Sequence, residues 1–242
     1  MFRLPTRVDF EPGCASRIPE LIRQMGSVRP LVITDPGVRS TDWFEPLIST
    51  CSSCRIEDQV SPNPKAEEVD TIAEVARSRG VDLVVGIGGG SVLDAAKAVA
   101  MLLQNPGHIN DYEGKDQFRN GSAPFIAVPT TCGTGSEVTW VSVISTPKEG
   151  RKISIKGDAM FPRFALSDAN LIRTLPPHLI AATGMDAMTH ALESLIVRGA
   201  NPVSDALATR AIFLLMGSLT SCASDPSHAA ARGNVMLAST LT

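Results

Sequence analysis

Short apolar runs alternate with segments of helical period between residues 29 and 169, and this alternation restricts the fold more than any other feature. RPLVITD (29–35), VDLVVGIG (81–88) and PFIAVP (124–129) are apolar along nearly their whole length. Such strands must be buried on both faces, which is the habit of parallel sheets covered by crossover helices. RIEDQV (55–60) and FALSDA (164–169) read as further short strands. Helices are expected over 41–51, over 65–79, where Val69, Ile72, Ala73 and Ala76 share one face before Gly80, and over 91–104. WVSVIS (140–145) and RKISIK (151–156) alternate with a period of two and predict a hairpin. After Leu175-Pro176-Pro177 the texture becomes Ala/Leu/Met-rich, with helices expected over 178–198, 203–220 and 228–241. The reading is an α/β domain with a largely parallel sheet over 1–176, followed by an all-helical region over 177–242. The final NVMLASTLT lies inside an apolar helical pattern with no glycine stop, so the chain is expected to be a fragment whose incomplete helical part exposes an apolar face and self-associates.

Composition removes several function classes. The 242 residues carry a net charge of -3 and only 5% aromatics, which argues against phosphate-tracking or base-stacking nucleic-acid binding. No uninterrupted apolar run approaches the ~18 residues of a membrane span, and the first residues show no secretory apolar core. A cytoplasmic protein without a membrane partner is expected. The five cysteines are odd in number and irregular in spacing, so reduced thiols are expected. Cys51-Ser-Ser-Cys54 has no second ligand pair to complete a structural zinc site and reads as inert.

Three motifs carry chemistry. Gly86-Ile87-Gly88-Gly89-Gly90-Ser91 follows a strand and opens a helix, where close backbone approach and unpaired amides suit a phosphate. Ser91 and Asp94 have capping-box-like spacing there. The run is neither G-x-G-x-x-G nor a P-loop, and a tight turn that binds nothing is the competing reading. Pro129-Thr130-Thr131-Cys132-Gly133-Thr134-Gly135-Ser136-Glu137 joins a strand to hydroxyls and free amides. Two such loops after parallel strands suggest a shared ligand crevice. Asp186 and His190 stand at i and i+4 on one helix and could share a divalent cation or simply pair with each other. Two ligands are too few for a catalytic metal, and His108, His178 and His228 have no ligand spacing.

GIGGGSVLDAAKA, AVPTTCGTGSEVT, RKISI and LPPHLIAATGMDAMTHALES, in this order, resemble the iron-containing (group III) alcohol dehydrogenase family over essentially the whole chain. The resemblance implies a dehydroquinate synthase-like α/β dinucleotide-binding domain, a helical metal-binding domain and an active site between them. It implies hydride transfer between NAD(P) and a small alcohol, aldehyde or ketone, in a dimer or larger homo-oligomer. On the matching positions, Asp35 would meet the adenosine ribose and Asn63 the cofactor. Gly88, Gly89, Gly90, Ser91 and Asp94 would form the pyrophosphate loop. Thr130, Thr131, Thr134 and Thr139 would line the nicotinamide side, and Lys152 would contact the cofactor. Asp186 and His190 match two of four metal ligands, the other two being histidines of the family that no residue here matches. Fe2+ is expected ahead of Zn2+, and NAD ahead of NADP because Asp35 would repel a 2′-phosphate. The resemblance names no general base. Glycerol dehydrogenase-like or maleylacetate reductase-like chemistry, or for this chain a dinucleotide-binding module without activity, are the alternatives.

Overall fold

A computed structural model describes residues 3–49, 51 and 53–242. Met1, Phe2, Thr50 of the expected helix 41–51, and Ser52 between Cys51 and Cys54 lie outside the described residues. The chain runs β1 (Arg7–Asp9), α1 (Ile18–Gln24), β2 (Pro30–Ile33), α2 (Pro36–Arg39), α3 (Phe44–Ile48), β3 (Arg55–Glu57), α4 (Ala66–Ser78), β4 (Leu83–Gly88) and α5 (Gly90–Leu102). It continues through β5 (Gly114–Lys115), β6 (Phe125–Pro129), β7 (Val141–Thr146), β8 (Arg151–Lys156), β9 (Phe164–Leu166), α6 (Pro177–Ile196), α7 (Pro202–Ser224) and α8 (Ala229–Leu241). The expected α/β architecture followed by helices is present. Sequence reading missed β1 and β5, which are too short to carry a period, and α1, whose Ile18, Leu21 and Ile22 fall at helical spacing within only seven residues.

Six strands form one sheet in the order β1-β9-β6-β4-β2-β3, every neighbouring pair parallel. The continuous apolar runs follow from this. In β4, Val84 faces the layer of α4 and α5, while Leu83, Val85 and Ile87 face the opposite core with Ile18, Leu21 and Phe44. The predicted hairpin is β7 and β8, antiparallel from Val141↔Lys156 to Thr146↔Arg151, and it packs against α5 as part of a second, three-stranded sheet. The chain steps from β2 to β3 on one side and returns to β4 on the other. The crevice at the carboxyl ends of β2 and β4 is therefore the switch point where ligands of open α/β sheets bind.

α6, α7 and α8 pack on one another around Ile180, Ala187, Ala191, Ala211, Leu215 and Val235. The small alanines of α6 allow this close approach. α7 is long and apolar enough, by length and composition alone, to cross a membrane. It was expected as a helix over 203–220, but polar residues such as Asp205, Thr209 and Arg210 leave it without an uninterrupted apolar run. Its Ala208, Ala211, Leu214, Leu215 and Cys222 are buried among α6 and α8. Met185, Leu192 and Ile196 of α6 and Phe213 and Met216 of α7 remain exposed, so an apolar face is open.

Cys51 and Cys54 form a disulfide, their Cα atoms 5.5 Å apart, which corrects the expectation of reduced thiols throughout. Cys14, Cys132 and Cys222 are free and buried. Thiol titration of the denatured, unreduced protein is expected to find three reactive thiols and, after reduction, five; five before reduction would exclude the bond.

Candidate functional site at the carboxyl edge of the sheet

Adjacent strands set the site. Gly88 at the end of β4 registers with Pro129 at the end of β6, and the Thr130 amide donates to the Gly88 carbonyl at 3.0 Å. The loops leaving these strands therefore run side by side. A β-carbon at Gly90 would stand 2.6 Å from Thr134 Cγ2, and one at Gly89 would stand 3.0 Å from Thr131 Cγ2. At Gly90 a side chain would clash outright, and at Gly89 Thr131 would have to shift by a few tenths of an ångström, so the two glycines bring Thr131 and Thr134 directly against the opening of α5. The cap residue of α5 is Gly89, with no side chain bonded to the first amides. These unpaired donors at the start of a 13-residue helix make an anion seat.

The capping box expected from Ser91 and Asp94 is not formed, because the cap at Gly89 puts both residues out of phase for it. Ser91 Oγ instead accepts from the Asn63 amide at 3.1 Å. Asn63 holds φ of 54°, and its Oδ1 accepts from Lys152 Nζ at 2.7 Å. Asn63, Ser91 and Lys152 thus meet beside the glycine turn, although they come from three separate stretches of sequence. Asp35 stands at the end of β2, where its Oδ1 accepts from the Val38 amide at 2.9 Å and caps α2.

Asp94 turns inward. It accepts from Ser136 Oγ at 2.7 Å and from the Val143 amide at 2.9 Å. Lys97, one turn further along α5, is fully buried and escaped the sequence reading inside the apolar run DAAKAVAML. Its ammonium donates to Ser136 O at 2.9 Å, Ser136 Oγ at 3.1 Å, Thr139 Oγ1 at 3.1 Å and Val141 O at 2.6 Å. Burial pulls the Lys97 amine down to about 8, against the pull of Asp94 and Glu137. Burial also raises the carboxyls of Asp94 and Glu137 above their ordinary range. The signal for Lys97 was its i+3 spacing from Asp94 on a helix otherwise too apolar to carry a charge.

The same loop meets the helices. A β-carbon at Gly133 would stand 2.8 Å from Thr183 O and 3.2 Å from Asp186 Oδ2. Cys132 Sγ lies 3.3 Å from Thr183 Oγ1 in contact with α6, and Thr240 Oγ1 of α8 donates to Glu137 Oε1 at 2.9 Å. Asp186 and His190 project together from α6, with His190 Nε2 3.8 Å from Asp186 Oδ1 and both side chains half-exposed. They offer an anionic oxygen and an imidazole nitrogen of the kind a divalent cation takes. Among the described residues, no group of three or more His, Cys, Asp or Glu side chains is placed to hold a metal. The pair fits half a cation site.

A family model described as iron-containing alcohol dehydrogenase matches residues 5–169, and one described as Fe-containing alcohol dehydrogenase family, C-terminal, matches residues 180–242. The chain belongs to the iron-containing alcohol dehydrogenase family. It is 34% identical to alcohol dehydrogenase 4 of Schizosaccharomyces pombe over 98% of this chain and 57% of that protein. It is 35% identical to 1,3-propanediol dehydrogenase of Citrobacter freundii over 96% of this chain and 62% of that protein. Among solved structures, sulfoacetaldehyde reductase from Bifidobacterium kashiwanohense in complex with NAD+ superposes with a TM-score of 0.95 at 33% identity, covering 100% of this chain and 65% of that one. The chain thus spans 57 to 65% of the length of these relatives.

Glu137 gives a test of the buried cluster. Its carboxyl is raised in the fold, so it binds a proton there more tightly than when unfolded. The stability it contributes is present below about 4.5 and is lost as pH rises through its folded value. Glu137→Gln keeps an acceptor for Thr240 and removes the charge. Thermal and denaturant unfolding between pH 5 and 8 are expected to show a flatter pH dependence for the variant, with a gain in stability over wild type at the upper end. A variant less stable than wild type at pH 8 would contradict the assignment.

Proposed function

We propose that this chain supplies the dinucleotide-binding part, and two of the cation ligands, of an NAD-linked, metal-dependent alcohol dehydrogenase or aldehyde reductase. The observation that carries the reading is the uncapped amino terminus of α5 packed through Gly89 and Gly90 against Thr131 and Thr134. A pyrophosphate takes the α5 amides, with Ser91 and the Lys152–Asn63 pair beside it. Asp35 accepts from the adenosine ribose and disfavours a 2′-phosphate, so NAD is preferred to NADP. Thr130, Thr131, Thr134 and Thr139 lie along the loop that continues toward α6, where the nicotinamide ring belongs. The domain division at Pro176 follows, with the ligand crevice between the sheet edge and α6.

Asp186 and His190 would hold a divalent cation, Fe2+ ahead of Zn2+, which when bound lowers the pKa of an alcohol or polarises a carbonyl. The chain's own contribution is placement. The Gly133 contact sets Asp186 beside the loop that carries the nicotinamide-side threonines, so the hydride donor and the substrate oxygen are addressed from one segment. The substrate is a small alcohol, aldehyde or ketone. The working form is a homo-oligomer in the cytoplasm, a reading supported for the assembly by the exposed Leu192, Ile196, Phe213 and Met216.

Isothermal titration of the chain with NADH and NADPH tests this. NADH is expected to bind more tightly. Asp35→Ser retains a capping oxygen for Val38 and is expected to narrow the gap between the two nucleotides by about tenfold, the effect of removing about 1.4 kcal/mol of repulsion. Gly90→Val, which places a side chain against Thr134, is expected to abolish binding of both. His190→Ala is expected to leave nucleotide binding unchanged while weakening retention of Fe2+ or Zn2+. Absence of any NAD(H) binding by the wild-type chain would sink the reading.

A further inference from the structure

Asp94 and Lys97 occupy an unusual place. They sit on the second and third turns of α5, and Lys97 lies seven residues from Gly90, roughly 10 Å along the helix axis at ~1.5 Å per residue. Lys97 is fully buried, so its ammonium cannot reach a phosphate seated at the helix start. The carboxylate of Asp94 is already engaged by Ser136 Oγ and the Val143 amide. A carboxylate is also a poor neighbour for a pyrophosphate, since like charges repel. Both side chains point instead at one segment, the loop from Thr134 into β7, where Lys97 reaches the Val141 carbonyl and Asp94 the Val143 amide.

That segment has fixed partners on both sides. On the α5 side, Lys97 spans Ser136, Thr139 and Val141 with four acceptors within 3.1 Å. On the α8 side, a β-carbon at Gly135 would stand 3.2 Å from Ser239 O, and Glu137 accepts from Thr240. A buried lysine is costly to desolvate, and an apolar side chain of similar length would fill the space at less cost. What the ammonium provides that an apolar chain could not is a set of directed bonds to the loop.

We propose that Asp94 and Lys97 are positioning residues that hold the loop 134–141 for the nicotinamide end of the cofactor, and that Asp94 does not contact the pyrophosphate. The inference rests on the dinucleotide reading above. It separates two parts of the nucleotide site. The glycine turn serves the phosphates, and the Lys97-anchored loop serves the ring.

The test compares NADH with ADP, which carries the phosphates but lacks the nicotinamide, by isothermal titration of the wild-type chain and of Lys97→Met. The wild type is expected to bind both. K97M is expected to bind NADH about tenfold more weakly, the loss of a charge-assisted bond, and ADP within about twofold. Amide exchange is expected to speed up at residues 133–141 and not at 86–90. Should K97M fail to fold, the same comparison is made in D94N/K97M, which removes both charges together. Unchanged NADH binding in a folded variant, or equal loss of NADH and ADP, would overturn the positioning role while leaving the dinucleotide reading intact. Failure of the wild type to bind either ligand would overturn that reading and this inference with it.

Discussion

β4 and β6 are hydrogen-bonded neighbours, so the loops that leave them emerge a single strand spacing apart, with Gly88 opposite Pro129. Two ordinary loops so close would be pushed apart by their side chains. Here Gly89 and Gly90 face Thr131 and Thr134 at distances where a β-carbon would collide or nearly do so. The consequence is a continuous polar surface in which backbone amides of one loop lie against hydroxyls of the other. Gly133 repeats the device one step further along, against Thr183 and Asp186 of α6. Glycine turn, threonine loop and Asp186 are therefore held in series by three close approaches, and the geometry of the candidate site follows from them.

The buried cluster beneath this surface explains how the loop keeps its shape. Asp94, Lys97 and Glu137 are charged residue types in a region otherwise filled by Val92, Leu93, Ala96 and Val99. Burial opposes ionisation of all three, lowering the lysine and raising both carboxyls. Hydrogen bonds offset part of this cost, since the ammonium and both carboxyls have partners. Such clusters are weak contributors to net stability but strict about geometry. The cluster also ties α5 to α8 through Glu137 and Thr240, so the sheet and the bundle share one polar junction.

Much of the architecture was legible because the parallel sheet imposes continuous apolar runs, and the glycine and threonine loops stand out against them. A crevice shared by the two loops was legible from their places after parallel strands, but the strand order that makes it a switch point was not. The three-residue strand β1 and the two-residue strand β5 were not legible, because runs so short carry no period. Ser91 and Asp94 misled as a capping box because spacing alone does not say where a helix starts, and the start at Gly89 changes the role of each residue after it. Lys97 was hidden because a lysine in an apolar helix reads as a solvated edge until the hairpin β7–β8 is folded over it. The Cys51–Cys54 bond was missed because compartment reasoning was weighed above the short loop between the two residues.

The two halves of the site differ in how local they are. Every element of the nucleotide seat comes from a loop that directly follows a strand of one sheet, or from the hairpin packed on it. Those positions are fixed once the sheet forms. The cation pair is different. Asp186 and His190 share one helical turn, and a single turn can offer only neighbouring donors on one side of an ion. Tetrahedral or octahedral ligation needs donors from facing elements, which a bundle supplies by packing further helices across α6. The exposed Met185, Leu192 and Ile196 lie about a third of a turn around α6 from that pair, on a separate face. On the proposed reading, cation affinity therefore depends on donors brought by elements facing Asp186 and His190, whereas dinucleotide affinity depends on the sheet edge and on the Lys97-anchored loop beside it.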